Sequence, residues 1–494
     1  MPPTVVEETP AAVDMDHIDR SLVGGIAWTG MAKWSIQLLS WATTLILARL
    51  LTPDDFGLVA LAQVYVGLVA LINEMGLGSA VVTFRDLSRE HLAQINTLAL
   101  LLGLCGFAVS CAMAVPLGLF FDSPHLVPVI MVMSTSFVIS SLKTVPMGLL
   151  QRSFDFKTLA LVEAGQAGIL ALTQATLAFM GLGYWSLVLG EILALVLATA
   201  YVASRRFPGF ARPRFSELRH ITTFTFHLLV TRVAWYMYSD ADFIIVGKVL
   251  GQAALGIYKV AWVLSTSPVQ KVSELVTRVT PSVFSAVQKD MPALRRYVLR
   301  LTEALSIAVF PLATGLCLVA DDFVKVTLGE KWVGAITPLR ILGFYVSFRT
   351  INTILPQILT VIGETKFGMR NGVYALVLMP TAFLIGSHWG MAGVACGWLI
   401  AYPLVALPMY VVLFRRIDLH WKEYLGAVWP ALSSALVMAV AVLAVRTWLP
   451  PSWGEIARLV PQASIGAAVY IGFIMLFHRA TVMGLFSAAR KARA

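Results

Sequence analysis

The sequence predicts an all-α integral membrane protein. About fourteen transmembrane helices are expected, as two pseudo-twofold six-helix lobes and a C-terminal helix pair. Three observations predict this. Of 494 residues, 58% are hydrophobic and 13% charged, and the mean hydropathy is +0.79; a soluble domain carries roughly 25% charge. The apolar residues gather in runs that approach or exceed the ~20 residues a spanning helix needs. A short polar hinge between two such runs occurs twice, as expected of a duplicated transporter whose halves rock about a central site.

The first hinge is Arg49-Leu-Leu-Thr-Pro-Asp-Asp-Phe-Gly-Leu-Val-Ala-Leu-Ala62, and the second is Lys248-Val-Leu-Gly-Gln-Ala-Ala-Leu-Gly-Ile-Tyr-Lys-Val-Ala261. Laid side by side without gaps, Arg49 meets Lys248, Leu51 meets Leu250, Gly57 meets Gly256 and Ala62 meets Ala261. The same register matches Lys33 to Arg232. At a larger offset, Pro146 matches Pro356 and Gly183 matches Gly393.

In chain order, residues 1–20 are polar and acidic (Glu7, Glu8, Asp14, Asp16, Asp19). They lack a basic segment before an apolar core, so a disordered cytoplasmic tail is expected, not a secretory signal. Residues 21–204 form the N-lobe, with apolar runs at 22–47, 57–80, 92–119, 125–150, 157–180 and 183–204. Residues 205–220 form a basic cytoplasmic linker (Arg205, Arg206, Arg212, Arg214, Arg219) with interleaved Phe207, Phe210 and Phe215. This composition suits a segment lying on anionic headgroups. Residues 221–414 form the C-lobe, with runs at 221–247, 253–280, 297–320, 335–361, 369–388 and 390–414. Residues 415–494 hold the appended runs 424–446 and 459–479 and a basic cytoplasmic tail. The connections Met180–Gly183 and Ser387–Gly390 are so short that they force antiparallel neighbours.

The net charge of +10 is read as topology, not as affinity for nucleic acid. With both termini cytoplasmic, most Lys and Arg fall in inside segments, and Arg49, Lys248, Lys325, Lys331, Arg446 and Arg458 fall outside. Cys105, Cys111, Cys317 and Cys396 lie within apolar runs without metal-ligand spacing and are read as small buried hydrophobes. No metal or other cofactor is implied.

Charges inside spans are costly, and they face a cavity or a partner. Lys33 lies mid-span with Trp28, Trp34, Gln37 and Trp41 nearby, and Arg232 holds the matching place in the second half. A cation from each lobe at equal depth would hold an anionic headgroup such as a pyrophosphate; alternatively each cation pairs with a fixed acid, for instance Arg232 with Asp240 or Glu163. Arg349 is a further candidate ligand. Lys271, Glu274 and Arg278 share a helix face, which either lines a wet cleft or is a self-neutralising ladder. Lys259 is read as a rim residue and Arg340 as a snorkelling one. Asp240 and Asp242 either bind a coupling proton or cation or hydrate a helix end; Glu163 and Glu74 are further coupling candidates, and for Glu74 a structural role at its following glycines is also open. There is no nucleophile elbow, Walker loop or zinc-protease motif. Without an ATPase motif, transport would run on an ion gradient or on substrate supply and removal.

Several stretches resemble one family: Arg49-Leu-Leu-Thr-Pro-Asp-Asp-Phe-Gly-Leu, Glu74-Met-Gly-Leu-Gly-Ser-Ala, Leu150-Gln-Arg-Ser-Phe-Asp-Phe-Lys157 followed by Glu163, Val246-Gly-Lys-Val-Leu-Gly with Leu255-Gly-Ile-Tyr258, and Pro281-Ser-Val-Phe-Ser285 with Asp290. The chain resembles the polysaccharide-transporter branch of the multidrug/oligosaccharidyl-lipid/polysaccharide exporter superfamily, the O-antigen and colanic-acid-exporter type of flippase. The resemblance implies a non-enzyme of the bacterial inner membrane with a cationic central cavity. It would flip undecaprenyl-diphosphate-linked oligosaccharide by alternating access, amid membrane lipids and beside a polysaccharide polymerase and export machinery. The substrate-binding candidates are then Lys33, Arg232, Arg349, Lys271 and Arg278. Two other functions stay in view. A drug/cation antiporter would need an acid-dominated cavity. A membrane-embedded glycan polymerase or ligase would need a long outer loop, and the outer connection near 320–335 is short for that.

Overall fold

The computed structural model describes residues 36–74, 77–84, 87–153, 155–214, 233, 235–287, 290–450 and 452–491, and among them all regular structure is helical. The first half comprises α1 (Ile36–Leu50), α2 (Pro53–Glu74), α3 (Leu77–Thr83), α4 (Arg89–Phe120), α5 (Leu126–Arg152), α6 (Phe156–Phe179) and α7 (Tyr184–Arg206). The second comprises a short stretch at 235–239 (α8), α9 (Ala241–Ile245) with a π-helical turn at Val246–Leu250, α10 (Gln252–Ala286), α11 (Met291–Thr327), α12 (Ile336–Asn352), α13 (Leu355–Val361), α14 (Thr365–Ser387) and α15 (Gly390–Ile417). Then follow α16 (Trp421–Trp448), α17 (Glu455–Phe477) and α18 (Arg479–Lys491). Among the described residues nine helices are long and apolar enough to cross a membrane. The chain is a multi-pass membrane protein.

Local chemistry sets the helix starts. Ser88, Asp155 and Asp290 accept from the main-chain N–H of His91, Thr158 and Ala293 at 3.2, 3.1 and 2.9 Å. Each satisfies an otherwise unpaired donor in the first helical turn. Between α6 and α7 the chain reverses at Gly183, whose φ of +55° favours a residue without Cβ. The apolar run 335–361 is two helices, because the chain turns at Thr353 between α12 and α13.

The two hinge copies pack on each other. A Cβ on Gly57 would sit 1.9 Å from the carbonyl oxygen of Gln252, and one on Gly256 would sit 1.9 Å from that of Pro53. Pro53 and Gln252 are themselves equivalent in the repeat, so the contact is self-complementary, as at a twofold axis. The hinge cations follow the same symmetry. Arg49, in the last turn of α1, donates to the carbonyls of Val326 and Thr327 at the end of α11. Lys248, its repeat equivalent, bonds Asp122 just after α4 at 2.8 Å. Lys331 and Trp332 return the contact, donating to the carbonyls of Arg49 and Ala48 at 2.9 and 2.8 Å. These bonds close the hinge end of the bundle.

The basic linker is tied down as far as residue 214. Asn96 donates to the Gly209 carbonyl at 3.0 Å, and the Ala211 N–H donates to Thr97 at 3.1 Å. Two fully buried polar residues inside α4, Gln94 and Asn96, thereby find backbone partners, because the Arg214 N–H donates to Gln94. Phe207 and Phe210 stay exposed beside them.

The appended helices are fixed to α11 by an acid pair. Asp321 bonds Arg340 of α12 and Arg446 of α16. Asp322 bonds Arg458 and Gln462 of α17, each at 2.9 Å. Arg340 is therefore an ion-pair partner as well as a residue near a helix end.

Candidate functional site

The site grows from the break between α8 and α9. The helix interrupts at Asp240 (φ −114°, ψ 7°) and restarts for five residues. The interruption sends the two carboxylates to different places. Asp242 is fully buried. It accepts from the Tyr258 hydroxyl at 2.8 Å, the Trp398 indole at 2.7 Å and the Phe243 N–H at 2.9 Å. Three donors converging on one carboxylate offset its desolvation, at about 1.5–3 kcal/mol per bond to a charged group. Asp242 thus clamps α9 to α10 and α15. The π-helical turn that follows is a feature frequent at functional sites.

Asp240 turns the other way, and among the described residues its carboxylate accepts only from Ser239, at 3.1 Å. It lines a cavity of about 270 Å³ with Lys259 and Trp262 of α10, Arg349 of α12 and Trp398 of α15. Lys259 and Trp262 are three residues apart on one helix and so face the same side. The Lys259 ammonium lies 4.7 Å from the Phe243 ring centroid, and the Arg349 guanidinium 5.7 Å from that of Trp262. Such contacts contribute about 0.5–2 kcal/mol each, more when desolvated. Asp240 stands within electrostatic range of both cations. Neither Lys259 nor Arg349 closes an ion pair among the described residues. Behind them Trp398 packs on Trp262, Tyr345 and Phe383 with centroids 5.3, 4.7 and 4.9 Å away, a rigid aromatic wall.

The sequence-derived candidates divide clearly. Arg349 and Asp240 line one cavity, and Asp242 braces it. Lys259 joins them, which corrects its reading as a rim residue: α10 runs 35 residues, and Lys259 lies on its cavity face near Trp262. Glu163 is exposed on α6, within electrostatic range of Lys143. Lys33 and Arg232 lie outside the described residues. So do the side chains of Glu74, Lys271, Glu274 and Arg278. Lys143 is a functional candidate that the sequence reading omits. It is half-buried on α5 and donates to Gln166 of α6 at 2.7 Å. Its signal was available, a lone lysine inside the apolar run 125–150.

A family model described as "Polysaccharide biosynthesis protein" matches residues 46–337. The chain is 25% identical over 482 residues to the succinoglycan biosynthesis transport protein ExoT of Rhizobium meliloti (strain 1021), covering 95% of this chain and 96% of that one. It is 22% identical over 417 residues to the lipopolysaccharide biosynthesis protein WzxC of Escherichia coli (strain K12), covering 82% and 84%. Its fold matches the lipid II flippase MurJ in an inward closed conformation with a TM-score of 0.73 at 15% identity, over 92% of this chain and 99% of that one. It also matches an inward-facing multidrug resistance MATE family transporter of the MOP superfamily with a TM-score of 0.64 at 17% identity, over 78% and 98%. The chain belongs to the polysaccharide biosynthesis protein family.

Proposed function

We propose that this chain is a flippase that carries an undecaprenyl-diphosphate-linked oligosaccharide from the cytoplasmic to the periplasmic leaflet of a bacterial inner membrane. Two lobes, residues 21–204 and 221–414, rock against each other so that the self-complementary contact of the two hinge copies closes and opens, with both termini cytoplasmic. Relatives named for lipopolysaccharide and succinoglycan biosynthesis support the substrate class. The observation that carries the reading is the pair Lys259 and Arg349, two intramembrane cations over aromatic rings in one cavity, with no ion pair among the described residues. A diphosphate is the ligand such a pair fits, because a guanidinium fork and an ammonium donate to phosphate oxygens. Desolvation strengthens both interactions. Asp240 is the carboxylate placed to carry a coupling proton or cation, since Asp242 is committed to its three donors.

The test replaces Lys259 and Arg349 with Ala in cells that depend on this gene for surface polysaccharide. Surface polysaccharide falls by at least tenfold while the protein level in the membrane holds. Undiminished export by the double variant overturns the cation-pair mechanism.

A further inference from the structure

Three tryptophans line the cavity, and two are already engaged. Trp262 is covered by Arg349, and Trp398 is 1% exposed within its aromatic wall. Trp235 differs. It is 50% exposed, lines the same cavity, and has no ring partner among the described residues. It is also far from either end of the apolar run 221–247, so the aromatic belt at a membrane surface does not account for it.

The three threonine hydroxyls of the cavity are oriented alike. Thr266, Thr350 and Thr353 donate to the carbonyls of Trp262, Val346 and Thr350 at 2.7, 2.8 and 2.7 Å. Each hydroxyl has spent its one proton on its own backbone and keeps lone pairs free to accept. Asp240 adds a carboxylate, and Gln270 an amide with no partner among the described residues. A phosphate ester brings only acceptors and satisfies none of these acceptors. A sugar ring brings several O–H donors and an apolar C–H face that stacks on an indole.

We propose that Trp235, Asp240 and Gln270 form a sugar subsite beside Lys259 and Arg349, which receives the hexose attached directly to the diphosphate. The inference rests on the flippase reading and adds to it that the protein grips the first sugar as well as the phosphates. Trp235 supplies the stacking face, Asp240 and the threonine oxygens accept from sugar hydroxyls, and Gln270 donates and accepts.

The experiment measures binding of two probes to the full-length protein in nanodiscs: undecaprenyl diphosphate and undecaprenyl-diphosphate-glucose. The wild type binds the glucosylated probe more tightly. Trp235→Ala weakens the glucosylated probe about tenfold, the loss of one good aromatic contact, and leaves the bare diphosphate within about twofold. Trp235→Phe, which keeps a smaller flat face, loses less and guards against a folding defect. Equal loss for both probes, no loss for either, or a wild type blind to the sugar overturns the subsite. The Lys259→Ala, Arg349→Ala double variant tests the underlying reading separately: if it binds bare undecaprenyl diphosphate like wild type, the phosphate assignment fails whatever Trp235 does.

Discussion

Gly57 and Gly256 hold the same place in the two hinge copies, and each abuts the backbone carbonyl of the residue that the other's repeat places four positions before it. A Cβ on either would lie 1.9 Å from that oxygen, far inside van der Waals contact. The halves can close at this end only because both positions lack a side chain.

Gly57→Ala and Gly256→Ala are therefore expected to hold the hinge end apart. Each cuts transport at least tenfold at near-normal membrane abundance. Gly315→Ala is the control, since nothing lies within 4 Å of its added methyl. Transport assays on the three variants, normalised to protein level, check this; normal transport by Gly57→Ala refutes it.

The reciprocal grip of Arg49 and Lys331 predicts a second effect. Gln252 donates to the Asp54 carbonyl at 2.9 Å across the same interface. A cysteine pair at 54 and 252, in a protein cleared of Cys105, Cys111, Cys317 and Cys396, is expected to cross-link readily. Adding Arg49→Ala with Lys331→Ala removes four of the bonds to helix-end carbonyls and lowers the cross-linking yield at least twofold. An unchanged yield means the contact does not hold the closed state.

Asp242 binds Tyr258 and Trp398 through one oxygen, so the two donors are coupled. Tyr258→Phe and Trp398→Phe are each expected to destabilise the folded protein by about 1–3 kcal/mol. The double variant loses measurably less or more than the sum. Thermal melting in detergent, run as a double-mutant cycle, checks this; strict additivity argues against a shared carboxylate.

Asp322 is nearly buried and holds two side chains of α17. Asp322→Ala leaves the Arg458 charge without its carboxylate, a change that costs about 3–5 kcal/mol when a buried pair is broken, less here because Arg458 is partly exposed. The expected result is faster proteolysis in the α16–α17 connection and a lower melting temperature. Arg446→Ala, on an exposed pair, is expected to cost about 1 kcal/mol or less. Equal effects of the two variants contradict this ranking.

Some of the molecule is legible in the chain alone because it depends on one-dimensional patterns. Apolar runs set where helices cross, since a buried backbone in lipid must bond within its own helix. The repeat from Arg49 to Ala62 and from Lys248 to Ala261 marks the hinge, because close backbone approach demands glycine at the same place in both copies. The order of hinge motifs likewise points to the family that the comparisons establish. The site required tertiary structure. Periodicity says which residues share a face of α10, yet it cannot say that this face meets Arg349 of α12 and Trp398 of α15, nor that a break at Asp240 leaves this carboxylate in a cavity and sends the next, Asp242, into a clamp. Lys259 reads as a rim residue from its place in its run, and only the packing of α9, α10, α12 and α15 makes it an interior cation, because in a bundle the depth of a charge is set by the helices that surround it.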